Sequence, residues 1–195
     1  TGSENGFRNR PEPAPRVRSS VKYTEQAINF VCAQADLIGI VATPESPRST
    51  GVVIIVGGPQ YRVGSHRQFV ILSRALATAG FPVLRFDYRG MGDSGGLPSD
   101  FSTVSPDISA AIEALQAHVT SIERVALWGL CDGASAALLY CYETNNPLVA
   151  GLCVLNPWVR SEAARRAATE ESRCGRAGSK TRRRAFRYKS SRVAS

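Results

Sequence analysis

The chain has 195 residues, 43% of them hydrophobic, which suits one domain with a sizeable core. Its formal net charge of +8 resembles that of a nucleic-acid-binding protein, but from Arg160 onward 12 basic residues stand against 3 acidic ones, which leaves 12 against 13 before it. The larger part is therefore nearly neutral, and we expect no specific nucleic-acid partner for it.

No run of the sequence approaches the roughly 18 apolar residues that a membrane-spanning helix needs, and the first residues lack the apolar core of a secretory signal. We therefore expect no membrane span and a cytoplasmic location. The cysteines lack C-x-x-C spacing, so neither a zinc site nor a disulfide framework is indicated. We expect no metal ion and no cofactor. We expect most of the cysteines to be small buried side chains: Cys32, Cys131, Cys141, Cys153 and Cys174.

The two ends differ in composition from the middle of the chain. Residues 1–20 are rich in proline and arginine without an apolar period, which predicts a disordered lead-in. Residues 21–160 form the expected core, and residues 161–195 a basic tail that we expect to be disordered. A truncated or frame-shifted product, or a fragment, would have such a tail. The alternative is a tail that binds RNA or a membrane surface, because Phe186 and Tyr188 interrupt its basic residues.

Within the core, strand and helix patterns alternate. Two strand-like runs at 27–32 and 37–42, with a polar break at 34–36, predict an antiparallel hairpin. The run 51–56 is apolar on both faces, as in a central strand of a parallel sheet. Further on, the patterns predict helices at 65–79, 104–118 and 132–142 and strands at 82–86, 125–128 and 150–155. A hairpin followed by repeated strand–helix units predicts an α/β fold with a doubly wound, mostly parallel sheet.

Five residues, Gly129-Leu130-Cys131-Asp132-Gly133, have the pattern G-x-C-x-G between a predicted strand and a predicted helix. This arrangement is typical of a nucleophile elbow, a tight turn that needs small residues two before and two after the nucleophile. It indicates Cys131 as a candidate nucleophile supported by Gly129 and Gly133. The alternative is a buried core thiol, the usual state of a free cysteine.

Three motifs, in this order, resemble those of the α/β-hydrolases. Residues 56–60 are similar to the H-G-G-P-G turn after the third strand, with Val56 where many members have His, residues 87–94 to the D-x-R-G-x-G-x-S loop after the fourth, and the elbow follows the fifth. The sequences of residues 57–69 and 128–135 most resemble those of the exosortase A system-associated hydrolases (hydrolase 1 type). These are bacterial proteins encoded with exopolysaccharide and protein-sorting systems. The resemblance covers about residues 21–160 and implies an incomplete α/β-hydrolase fold, its N-terminal two thirds.

The resemblance also implies roles for individual residues. The backbone amides of Gly58 and Asp132 would form an oxyanion hole, to which Pro59 cannot contribute. A helix that begins at Asp132 would favour the thiolate of Cys131, and Asp132 is also placed to cap that helix. A thiol ionises more readily than a hydroxyl, so the expected intermediate is an acyl-cysteine.

Histidine is the part of the expected triad that the sequence lacks. The fold places its acid and then its histidine after the nucleophile, yet no histidine follows Cys131. His66 is expected at the start of the helix after the third strand and, with Gln60, is a candidate for the pocket wall. His118 is expected at a helix C-terminus. The glycine-rich loop at 90–96 lacks the G-x-G-x-x-G frame of a phosphate cradle, so we expect a structural turn there.

We therefore expect a hydrolase of an ester, thioester or related acyl bond, with a small-molecule acyl substrate; the sequence does not fix the oligomeric state. One alternative is a catalytically defective α/β-hydrolase fragment that lacks the acid and histidine. Another is a basic-tailed protein that binds nucleic acid or a membrane surface. The lack of a histidine after Cys131 is the feature that separates an active hydrolase from the defective fragment. A protein whose affinity for phosphate groups disappears when the tail is removed would be the basic-tailed binding protein.

Overall fold

The computed structural model describes residues 22–58 and 60–157. The lead-in expected at 1–20, Pro59 and the tail expected at 161–195 lie outside the described residues. The described part is a six-stranded sheet with three α-helices: β1 Tyr23–Cys32, β2 Ala35–Pro44, β3 Thr50–Ile55, α1 Gln68–Thr78, β4 Val83–Phe86, α2 Ser105–His118, β5 Arg124–Leu130, α3 Asp132–Thr144 and β6 Val149–Leu155.

The strands lie in the order β1-β2-β4-β3-β5-β6. The first two pairings, β1 with β2 and β2 with β4, are antiparallel, and β4, β3, β5 and β6 run parallel. The predicted α/β fold with an antiparallel hairpin is thereby confirmed. Because the chain reverses its winding direction after β4, right-handed crossovers place α1 on one face of the sheet and α2 and α3 on the other.

The core lies where the parallel strands are covered on both faces. In β3 every residue after Thr50 is buried, as its apolar run predicts for a central strand. On α1, Phe69 is buried and meets Trp128 of β5 edge to face, with ring centroids 5.7 Å apart. By contrast, every residue of β6 is exposed or half-buried.

Two predicted boundaries were wrong, both because residues other than glycine adopt a positive φ. The hairpin turn is Ala33-Gln34, with φ 46° and 66°, so Ala35 and Asp36 already pair with β1. A two-residue turn with positive φ at both positions matches the right-handed twist of the two strands that it joins. Helix α1 begins at Gln68, because His66 and Arg67 have φ 51° and 61°, which is incompatible with α-helix, and residues Ser65–Arg67 form a 3-10 turn.

The parallel strands bring the candidate site together. Their carboxyl ends lie at one edge of the sheet, where the loops after β3, β4, β5 and β6 begin. Since β5 pairs with both β3 and β6, the segment after β5 has the segments after β3 and β6 as its neighbours.

Candidate active site

Cys131 is the single residue between β5 and α3, and its backbone has φ 52° and ψ −119°. This is a sparsely populated conformation for a residue with a side chain, and such strain costs on the order of 1–3 kcal/mol and is concentrated at functional sites. The backbone around it is well held, because the Cys131 N–H donates to Leu155 O at 3.0 Å and its carbonyl accepts from the amides of Ala134 and Ser135. The G-x-C-x-G segment therefore forms a strained strand-to-helix turn.

Three glycines allow this turn to pack against its neighbours. A Cβ on Gly129 would lie 2.3 Å from Gly133 O, and one on Gly133 would lie 2.3 Å from Ile55 O. The third is Gly57, where a Cβ would lie 2.4 Å from Leu130 O. Since real Cβ atoms do not approach backbone so closely, each position requires glycine. The sequence pattern predicted this for Gly129 and Gly133 but assigned no such role to Gly57.

Gly58 and Asp132, the expected oxyanion-hole residues, lie close together. Gly58 has φ 63°, and a Cβ built there would lie 3.9 Å from Asp132 Oδ2. A Cβ on the preceding Gly57 would lie 3.0 Å from the amide nitrogen of Asp132. The turn after β3 thus lies directly beside the first residue of α3, whose amide has no acceptor within the helix.

Asp132 does not cap α3 as expected. The N-cap position is Cys131, and no side-chain hydrogen bond caps the helix. The negative charge of Asp132 instead acts on the hydroxyl group of Tyr88, a residue that is only 4% exposed. Burial, with a smaller contribution from the charge of Asp132, raises the pKa of Tyr88 to about 12. The tyrosine hydroxyl therefore stays protonated and neutral near the start of α3.

Asn156, the residue after β6, is a contact of Cys131 that sequence reasoning missed. Its side-chain Nδ2 donates to Cys131 Sγ at 3.7 Å. No local pattern marks this contact, because it depends on β6 lying next to β5 in the sheet. Neither histidine of the sequence hydrogen-bonds to this thiol within the described residues.

Gln60 lines a shallow cavity and His66 lies outside its lining. The cavity is bordered by Gln60, Tyr61, Gly64 and Ser65. Gln60 Oε1 accepts from Gln68 Nε2 at 3.0 Å and from the Ser65 amide at 3.4 Å. His66 is exposed, and its Nδ1 lies 2.9 Å from Ser65 Oγ.

His118 is the second histidine, and it lies in the last turn of α2. Its Nδ1 lies 3.0 Å from Ala114 O, which agrees with the expected place at a helix C-terminus. It is exposed, and no contact joins it to the elbow within the residues that the structure describes.

A buried ion pair joins the loop after β4 to the loop after β3. The Asp87 side chain is fully buried, and its carboxylate accepts the Arg62 amide at 2.5 Å, the Arg62 guanidinium and the Asp93 amide at 3.1 Å. Arg62 Nη2 also pairs with Asp93 at 2.6 Å. Burial opposes the charge of Arg62, but Asp93 and Asp87 outweigh it and hold the pKa of Arg62 above its ordinary value. This network fixes the chain four residues beyond Gly58.

The glycine-rich loop at 90–96 forms a turn network. Gly90, Gly92 and Gly96 have positive φ. The Gly90 amide donates to Gly95 O, and Ser94 Oγ accepts the Ile38 amide while donating to Asp87 O. These bonds fasten the loop to β2 and to the end of β4.

The remaining expectations concern cysteines, metals and membranes. Of the four cysteines that the structure describes, only Cys32 is buried. Cys131 and Cys141 are half-buried, and Cys153 lies exposed on β6. The expectation that most are buried was therefore wrong for these. Within the described residues, no three His, Cys, Asp or Glu side chains are grouped to hold a metal ion. The helices described there are too short or too polar to cross a membrane.

Several known proteins are similar to this chain in sequence or in fold. The human protein ABHD12B is 36% identical over 86 residues, which cover 44% of this chain and 23% of that protein. A hypothetical protein from Pseudomonas aeruginosa, PA2218, superposes with a TM-score of 0.62 at 20% identity, over 82% of this chain and 54% of that one. The Pyrococcus furiosus esterase Pf2001 superposes with a TM-score of 0.59 at 20% identity, over 69% and 51%.

These structural likenesses show the fold alone, and the chain spans about a quarter of ABHD12B and about half of each solved structure. The family model described as Serine aminopeptidase, S33 matches residues 47–186. Because that match covers more than half of the sequence, the chain belongs to the serine aminopeptidase S33 family, within the α/β-hydrolase superfamily.

Proposed function

We propose that this chain is part of an acyl hydrolase that uses Cys131 as its nucleophile on an ester, thioester or related acyl bond. The observation that carries the proposal is the strained backbone of Cys131, with φ 52° at the strand-to-helix turn. A buried core thiol needs no such conformation, whereas an elbow nucleophile does.

The expected reaction begins with attack of Cys131 Sγ on the carbonyl carbon of the substrate. A C–S bond forms, the thiol proton passes to solvent, and the alkoxide or thiolate leaves as the C–O or C–S bond of the substrate breaks. The developing oxyanion is held by the amides of Gly58 and Asp132. The close approach of the two segments that carry these amides supports this assignment.

Hydrolysis of the acyl-cysteine requires a base that activates water. Within the described residues neither His66 nor His118 contacts the thiol, and general-base assistance contributes typically about 10²–10⁴-fold. We therefore expect an activated ester to acylate Cys131 once, and the chain to turn over slowly at best. The defective-hydrolase alternative is favoured by the same observation and predicts no turnover at all.

The substrate is proposed from the resemblance alone. Similarity of residues 57–69 and 128–135 to the exosortase-associated hydrolases points to a small acylated molecule of an exopolysaccharide or protein-sorting system. Gln60 would line the entrance to the pocket, because it borders the cavity beside the turn after β3.

Release of nitrophenolate from p-nitrophenyl acetate and p-nitrophenyl butyrate tests the proposal. We expect a burst close to one equivalent per chain, followed by slow release, and loss of the burst in Cys131→Ala. Cys141→Ala is the matched control, since Cys141 lies on α3 and is likewise half-buried. An unchanged burst in Cys131→Ala would reject the nucleophile, and fast turnover that needs Cys131 would reject the expected lack of a base. His66→Ala would then show whether His66 supplies one.

A further inference from the structure

The residues Cys131 and Asn156 occupy equivalent places on neighbouring parallel strands. Leu130 at the end of β5 is paired with Leu155 at the end of β6, so each of the two residues comes directly after a paired leucine. The Cys131 N–H donates to Leu155 O at 3.0 Å, and Asn156 Nδ2 donates to Cys131 Sγ at 3.7 Å. One bond fixes the backbone of the elbow to β6, and the other reaches the reactive atom.

Both residues also leave their strands in the left-handed region. Cys131 has φ 52° and Asn156 has φ 49°. Asparagine tolerates this region better than most side chains, and glycine adopts it without cost. Glycine would therefore satisfy the backbone at position 156 equally well, and the asparagine side chain adds only the amide that reaches the thiol.

We propose that Asn156 is a positioning residue that orients the Cys131 thiol and stabilises its thiolate; this rests on the proposed function of Cys131 as a nucleophile. A side-chain amide can donate to sulfur but cannot accept the thiol proton at nitrogen, so Asn156 does not act as the missing base. Its contribution is to donate a hydrogen bond to Sγ and so hold the thiol at the carboxyl ends of the parallel strands.

Alkylation of Cys131 by iodoacetamide tests this, because it reports on the thiolate without requiring ester hydrolysis. Asn156→Gly removes the amide without straining the backbone, and Asn156→Asp keeps the shape while replacing the donor by a negative oxygen. We expect the rate constant at Cys131, measured by peptide mapping, to fall about threefold to tenfold in Asn156→Gly and at least as much in Asn156→Asp. The thiolate ultraviolet absorbance that disappears in Cys131→Ala should fall in parallel.

Asn145→Gly is the matched control. Asn145 also has a positive φ, 45°, but it caps the far end of α3. Its replacement should leave both the alkylation rate and the absorbance unchanged. If Asn156→Gly unfolds at a lower temperature than the unmodified chain, the isosteric variant Asn156→Asp decides whether the Asn156 amide acts on the thiol.

Rates and absorbance in both Asn156 variants equal to those of the unmodified chain would overturn the inference. Failure of the proposed function has a different signature: p-nitrophenyl acetate would not acylate Cys131, whatever the alkylation rates of the Asn156 variants. The two failures can therefore be distinguished in one set of proteins.

Discussion

The Cα atom of Gly133 lies against the carbonyl group of Ile55, so that a Cβ on Gly133 would lie 2.3 Å from Ile55 O and 3.1 Å from Ile55 C. Gly133 is the second residue of α3 and Ile55 the last residue of β3. This contact brings the start of α3 onto the carboxyl end of the central strand. Because of this contact, the turn that carries Gly58 lies beside the elbow that carries Cys131.

Gly133→Ala should therefore destabilise the fold and displace the elbow. The added methyl group meets backbone rather than a movable side chain, and overpacking of this kind costs about 1–3 kcal/mol or more of the free energy of unfolding. Gly151→Ala on β6 is the control, because the nearest atom to its Cβ would be 3.9 Å away. Urea unfolding of both variants checks the difference, and equal stabilities would contradict the close contact.

Asp87→Asn should weaken the link between the loops after β3 and β4. It removes the charge of a fully buried carboxylate and leaves Arg62, whose side chain is 16% exposed, paired among the described residues only with the exposed Asp93. Breaking a buried ion pair typically costs about 3–5 kcal/mol, and partial exposure of Arg62 places our expectation at the lower end. Asp93→Asn alters the same arginine through a carboxylate that is 61% exposed, so a loss of at most about 1 kcal/mol is expected. Similar losses for the two variants would argue against a buried pair.

Glu25 should make the stability depend on pH in the acid range. Burial raises the pKa of Glu25, but the hydrogen bonds and charges of Arg74 and Arg85 outweigh burial and hold it below its ordinary value. A pKa that is lower in the folded than in the unfolded chain means a contribution that is complete above the ordinary value of 4.5 and is lost as the pH falls through the folded-state value. Glu25→Gln should thus be less stable than the unmodified chain near pH 7, and the difference in the free energy of unfolding should shrink as the pH falls below 4.5. A difference that stays constant would contradict the pairing, and Glu113→Gln, at an exposed position of α2, serves as the control.

The cysteines should differ in their rates of alkylation near neutral pH. Burial raises the pKa of the Cys141 thiol, and burial together with the charge of Asp107 raises that of Cys32, so both should react slowly. Cys131 at the start of α3 should be labelled before either. Peptide mapping after limited iodoacetamide treatment measures the order, with exposed Cys153 as the internal standard. Labelling of Cys141 with Cys131 untouched would contradict the elbow assignment.

Much of the architecture could be predicted from the residues, because apolar periodicity and glycine positions are local signals. The run at 51–56 has the two-sided apolar character of a central strand, and β3 is buried from Gly51 to Ile55. Gly80 stops α1 as its position indicates, with φ 90°. The start of α1 was predicted wrongly because His66 and Arg67 adopt a positive φ, which neither residue type indicates in a sequence.

Contacts between distant segments could not be predicted from local patterns. The need for glycine at position 57 comes from Leu130 and Gly133, more than seventy residues further along the chain. The bond from Asn156 to the thiol depends on β6 being the neighbour of β5, which only the strand order reveals. The sequence pattern could identify Cys131 as a candidate, but not the residue that touches it.

The identity of the acylated residue tests the central proposal most directly. The chain is incubated with p-nitrophenyl acetate, quenched during the burst and digested, and the peptides are analysed by mass spectrometry. We expect one acetyl group on the peptide that contains Cys131, removable by hydroxylamine and absent in Cys131→Ala. An acetyl group on any other residue with Cys131 unmodified, or an unmodified chain after prolonged incubation, would contradict it.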